Sequence, residues 1–104
     1  MNSHTILLLQ AETHQRVWAD FATVQLAMDE LILHFEESLR KRNPSKQQVR
    51  YDVHDFNKFI DTTPDVVCLV YDDTSKAYIP HDKEWIKKQA FRLLQDIATG
   101  RFVR

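Results

Sequence analysis

Five histidines, His4, His14, His34, His54 and His81, are the first residues to question for chemistry. A metal site needs ligands at close, regular spacing or gathered with cysteines, and these five are scattered with neither. Two are followed directly by aspartate, His54-Asp55 and His81-Asp82, a pairing able to pass a proton in general acid–base catalysis. Each pair stands at the predicted start of a helix, where aspartate ordinarily accepts from free backbone N–H groups and faces the positive helix end. The capping reading is the simpler one. Cys68, the single cysteine, lies inside the apolar run Val66-Val67-Cys68-Leu69-Val70-Tyr71 and reads as a small buried hydrophobe, without the cationic setting a nucleophilic thiol needs. Nothing marks Ser3, beside His4, as activated. With one glycine, Gly100, the chain holds no Gly-rich phosphate loop. No catalytic group, metal or cofactor is expected.

The remaining candidate for binding chemistry is basic. Arg40-Lys41-Arg42, followed by Lys46 and Arg50, can contact RNA phosphates. The simpler reading is a solvated helix end, because Asp29-Glu30 and Glu36-Glu37 on the same helix oppose a polyanion. A formal charge of −1 gives no general attraction to nucleic acid or anionic lipid. No apolar stretch approaches the roughly 20 residues of a membrane span, so no membrane partner is expected. The N-terminus carries no visible secretory signal. One cysteine fits a reducing compartment, and 104 residues fit one domain spanning 1–104.

The elements follow from patterning. Ser3 to Gln10 reads as a strand, Ala11 to Gln15 as a polar connection, and Arg16-Val17-Trp18 as a second strand paired with the first. Asp20 is the expected N-cap of a helix whose Val24, Met28, Leu31, Ile32, Phe35 and Leu39 form one apolar stripe, ended by Asn43-Pro44. Asp52 caps a shorter helix with Val53, Phe56, Phe59 and Ile60 inward, stopped by Thr62-Thr63-Pro64. The valine-rich run is a third strand. Asp73-Thr74-Ser75-Lys76 turns it back into Ala77-Tyr78-Ile79-Pro80, so that Tyr71 faces Tyr78. Asp82 caps a last helix carrying Ile86, Ala90, Leu93, Leu94 and Ile97, with Gly100 at its C-terminal end. The fold class is therefore α+β, in the order β-β-α-α-β-β-α: a small antiparallel four-stranded sheet with three helices on one face.

That arrangement leaves a mismatch. Alternate residues of a strand face opposite ways. Val66, Cys68 and Val70 point to one side and Val67, Leu69 and Tyr71 to the other, and both sets are apolar. Three helices cover one face of a small sheet. The other face needs cover, and a second copy of the same sheet is the simplest source.

Several segments together carry a resemblance: Ser3-His4-Thr5-Ile6-Leu7-Leu8-Leu9-Gln10, Trp18-Ala19-Asp20, Asn43-Pro44, Tyr51-Asp52-Val53, Phe59-Ile60-Asp61, Cys68-Leu69-Val70-Tyr71 and Tyr78-Ile79-Pro80-His81-Asp82-Lys83-Glu84-Trp85-Ile86-Lys87. In this order they resemble the enhancer of rudimentary family over nearly the whole chain. The departures are Asn2 before the opening, a shorter first hairpin loop, His54 in place of a serine, Asn57 where phenylalanine is common, and Thr62-Thr63-Pro64 in place of an acidic, leucine-containing segment. They mark a divergent member or paralogue and bear on partners more than on fold.

The resemblance implies a non-enzymatic homodimer whose sheets meet in a pseudo-barrel. It further implies an adaptor for short peptide segments of RNA-processing proteins, in mRNA splicing, microRNA or small-RNA precursor processing, or RNA elimination. RNA contact is then indirect. Direct RNA binding through Arg40, Lys41, Arg42, Lys46 and Arg50 is the alternative. The expected location is the nucleus, with a cytoplasmic or perinuclear pool. The expected dimer face comprises His4, Ile6 and Leu8 of the first strand, Arg16 and Trp18 at the rim, and Val67, Leu69, Tyr71 and Tyr78. The peptide groove is expected on helix surfaces left free by the dimer, without assigned residues.

Overall fold

A computed structural model describes residues 3–12, 15–45 and 50–104. Its elements run β1 (Thr5–Glu12), β2 (Gln15–Phe21), α1 (Val24–Arg42), α2 (Val53–Thr62), β3 (Asp65–Asp72), β4 (Ala77–His81) and α3 (Lys83–Ala98). The four strands form one antiparallel sheet in the order β2-β1-β3-β4. The expected architecture, four strands with helices to one side, is the one observed.

The helices bury one side of this sheet. Leu7 and Leu9 of β1 and Val66 and Cys68 of β3 meet Met28, Leu31, Ile32 and Phe35 of α1, Phe56 and Ile60 of α2, and Ile86, Ala90 and Leu93 of α3 in a single core. Strand period 2 and helix period 3.6 thus converge on one layer. Thr5, also buried, satisfies its hydroxyl by donating to the Ser3 carbonyl at 2.8 Å. Burial pushes the Cys68 thiol up to about 12, which leaves it an inert packing group.

Local chemistry sets most of the element ends. Asp52 accepts from the Asp55 N–H and Asp55 accepts from the Asp52 N–H, a reciprocal capping box at the start of α2. Asp82 caps α3 by accepting from the Trp85 N–H at 3.0 Å. Beyond the Thr99 cap of α3, Gly100 takes φ 77°. The Gly100 N–H then reaches the Ile97 carbonyl, and the Arg101 N–H reaches that of Asp96. This crossed pair of bonds needs a left-handed residue, which glycine supplies without a Cβ penalty. The β3–β4 turn is held by Asp72, whose carboxylate accepts from the Ser75 N–H and hydroxyl.

Four expectations are corrected. The cap of α1 is Thr23, whose hydroxyl accepts from the Leu26 N–H at 3.1 Å; Asp20 lies in β2. Strand β2 runs on to Phe21 instead of ending at Trp18, because Arg16, Trp18 and Asp20 keep alternating with Val17, Ala19 and Phe21. Strand β1 likewise continues into the segment expected to be a polar connection. Val53, expected inside, opens the first turn of α2 and stays exposed. Lys46 and His14 lie outside the described residues.

Candidate functional site

The side of the sheet turned away from the helices carries the expected dimer-face residues together. In the register of β1, Ile6 lies opposite Asp20 on β2 and Leu69 on β3, and Leu8 lies opposite Trp18 and Val67. On the far side, Leu69 pairs with Pro80 and Tyr71 with Tyr78. Four strands at about 4.8 Å spacing and about six residues of strand make a flat footprint on the order of 400 Å². None of the described helices packs on it. Trp18 is 60% exposed and Tyr78 41%, whereas Leu8 is largely shielded by its neighbours at 8%.

At one end this face is polar and ordered. The His4 Nε2–H donates to Asp20 Oδ2 at 3.0 Å, which leaves Nδ1 to accept from the Tyr78 hydroxyl at 2.6 Å. The hydrogen bond from His4 holds the Asp20 carboxyl below its ordinary range. Tyr78 meets the Tyr71 ring edge-on at 5.3 Å and the His4 ring at 5.8 Å. One side chain at the mouth of β1 thereby ties the outermost strands β2 and β4 together across the whole sheet. At the other end, Arg16 Nε donates to the Gln10 side-chain carbonyl at 3.0 Å.

The acid–base candidates do not come together. Asp55 and Asp82 are committed to helix caps. His81 stacks on Trp85 at 3.9 Å, and burial there lowers its basicity against the opposing pull of Asp82. Among the described residues no three His, Cys, Asp or Glu side chains are placed to hold a metal ion. No described helix is long and apolar enough to cross a membrane. Arg40, Lys41 and Arg42 occupy the last turn of α1 and are exposed, and Arg50, beyond the helix, is exposed too.

Two site features escaped the sequence reading. Asp20 reads from the sequence as a cap, whereas the continuing alternation Arg16, Trp18, Asp20 places it on the open face beside His4. Glu36 is the other. It accepts from the Tyr51 hydroxyl at 2.8 Å and from Arg104, whose Nε also donates to Asp29. Burial alone pushes the Glu36 carboxyl up. The bonds from Arg104 and Tyr51 and the charges of Arg104 and Arg40 outweigh it, so its affinity for protons falls below the usual glutamate range. Tyr51, half-buried and bonded to that carboxylate, rises to about 12.

A four-stranded antiparallel sheet with helices on one side and an apolar face on the other defines the class: a small α+β domain. Residues 1–100 match the family model described as enhancer of rudimentary. The chain is 40% identical over 99 residues to the enhancer of rudimentary homolog of Arabidopsis thaliana, covering 93% of this chain and 91% of the relative. It is 39% identical over 98 residues to the protein enhancer of rudimentary of Drosophila virilis, covering 92% and 94%. With the Caenorhabditis elegans homolog it shares 33% over 96 residues, covering 90% and 93%. The chain belongs to the enhancer of rudimentary family.

Proposed function

We propose that this protein is a non-enzymatic homodimeric adaptor, paired through the open face of its sheet and binding peptide segments of RNA-processing proteins. The observation that carries the reading is the uncovered apolar face. Contiguous apolar patches above a few hundred Å² are rare on soluble monomers and mark interaction surfaces. Here Ile6, Leu8, Trp18, Val67, Leu69, Tyr71, Tyr78 and Pro80 share one such face. The polar cluster at its end suits a two-fold contact. The Tyr78 hydroxyl and the His4 ring already satisfy one another and need no new partner on desolvation.

A face-to-face pair of sheets is the pseudo-barrel that the family resemblance implies. Pairing would also present two copies of any peptide site, raising avidity through effective concentration. The RNA-processing partners, and a nuclear site of action with a cytoplasmic or perinuclear pool, rest on family membership. Direct RNA binding is less favoured. Arg40 lies in the field of Glu36, and the same helix carries Asp29, Glu30 and Glu37.

The test is recovery of tagged full-length chain from its own cells, with and without ribonuclease. RNA-processing proteins retained after ribonuclease treatment support the adaptor. Recovery of metabolic enzymes alone, or loss of every partner with the RNA, overturns it.

A further inference from the structure

A second surface lies on the helical side, away from the sheet's open face. The C-terminal half of α1 and the outer side of α2 enclose two adjoining cavities of about 310 Å³ and 400 Å³. Both are lined by Ser38, Arg42, Phe59 and Thr62, so they form one continuous cleft. Helical spacing builds it: Ser38 and Arg42 are one turn apart on α1, and Lys58, Phe59 and Thr62 share a side of α2. Phe59 forms an apolar floor, stacked at 6.2 Å on Phe56 and at 5.3 Å from the Phe35 ring.

The rim has an electrostatic imbalance. The side chains of Lys41 and Arg42 on one wall and of Lys58 on the other make no ion pair or hydrogen bond among the described residues. Of the two acids present, Asp55 is already occupied in the capping box of α2. The negative end of α1 is muted, since Asn43 covers the Leu39 carbonyl with its side-chain amide and the Arg40 carbonyl with its backbone N–H.

We infer that the α1–α2 cleft takes an acidic peptide segment, with an apolar side chain on Phe59 and carboxylates on Arg42, Lys41 and Lys58. This deepens the adaptor reading and rests on it. A peptide fits better than RNA for a chemical reason. Glu37 and Asp55 line the same walls. A peptide backbone brings N–H donors that carboxylates accept, while a phosphate backbone brings only acceptors and charge that they repel.

The probe is a peptide of about ten residues with aspartates and glutamates flanking a leucine-phenylalanine pair, titrated into ¹⁵N-labelled full chain. Two comparison probes are its asparagine-glutamine counterpart and an oligouridine of similar length. The expected result is shift changes confined to the C-terminal half of α1 and to α2. Affinity should drop roughly tenfold or more in Arg42→Glu combined with Lys58→Glu, and similarly for the uncharged peptide. Both side chains are exposed and make no ion pair or hydrogen bond among the described residues, so the variant should keep its circular dichroism. No shifts, shifts elsewhere, equal binding by the charge-reversed variant or the uncharged peptide, or stronger binding of oligouridine to the same residues each overturns the inference. Sedimentation of the same samples separates the two readings. A dimer with an empty cleft removes the cleft alone, and a monomer with a filled cleft removes the dimer alone.

Discussion

Leu69→Arg is the sharpest perturbation of the open face. Leu69 sits on the inner strand β3, half-buried, with Ile6 opposite on one side and Pro80 on the other. Neither neighbour offers a carboxylate. An arginine placed at Ile6 would instead find Asp20 across the register and be partly neutralised. In an isolated protomer the long arginine stem can lie along the sheet and lift its guanidinium into water, costing about 1 kcal/mol or less. In a face-to-face pair the two-fold axis duplicates every change, so two unpaired charges are desolvated together. At about 3 kcal/mol each the pair loses about 6 kcal/mol, on the order of 10⁴ in its dissociation constant. Sedimentation velocity from about 1 to 100 μM, with far-ultraviolet circular dichroism, should show a folded monomer in place of a dimer. Val17→Arg, at a half-exposed position on the opposite side of edge strand β2, should leave association unchanged. A Leu69→Arg protein that sediments as the unaltered dimer would refute the face assignment. An unfolded one would place Leu69 in the core.

Other consequences are open to direct measurement. Thr23→Ala removes the hydroxyl that caps α1 and should cost about 1 kcal/mol, lowering the melting midpoint by roughly 4–8 °C. Asp20→Ala should leave α1 helicity intact, and a loss of helix there would restore Asp20 as the cap. Because the Glu36 carboxyl is held below its ordinary range, its stabilising contribution is present above the unfolded glutamate pKa and fades as pH falls through the folded one. Glu36→Gln should therefore be less stable than the parent at neutral pH and converge with it in strong acid. A gap independent of pH would contradict the Arg104–Glu36 pairing. Cys68 should resist a disulfide-exchange reagent in the native protein and react at once in guanidinium, and rapid native labelling would show that the thiol is accessible.

What could be read from the chain was whatever depends on near neighbours. The alternation along Val66 to Tyr71 assigned two faces, and the structure buries Val66 and Cys68 under the helices while leaving Val67, Leu69 and Tyr71 on the other side. The four-residue turn after Asp72 set the Tyr71–Tyr78 pairing. Asp20 shows where such reading stops. An aspartate just before an apolar periodic run is a reasonable cap, yet Thr23 is nearer the first turn, and the partner that claims Asp20 is His4, 16 positions away in sequence. The α1–α2 cleft was similarly hidden. Phe59 belongs to an apolar stripe by spacing, and only the packing angle between two helices leaves part of its ring accessible beside Arg42 and Lys58.

Pro80 has a consequence beyond its place on the open face. It stands within edge strand β4, opposite Leu69. A proline is tolerated there because an outermost strand can turn its nitrogen away from the ladder, and that nitrogen has no hydrogen to offer an incoming strand. The sheet therefore resists being extended sideways at β4, the mode of growth that leads to open-ended polymers. What remains attractive is a broad face rather than an edge. Stacking on a face can be satisfied once, by one copy, and then presents nothing further of the same kind.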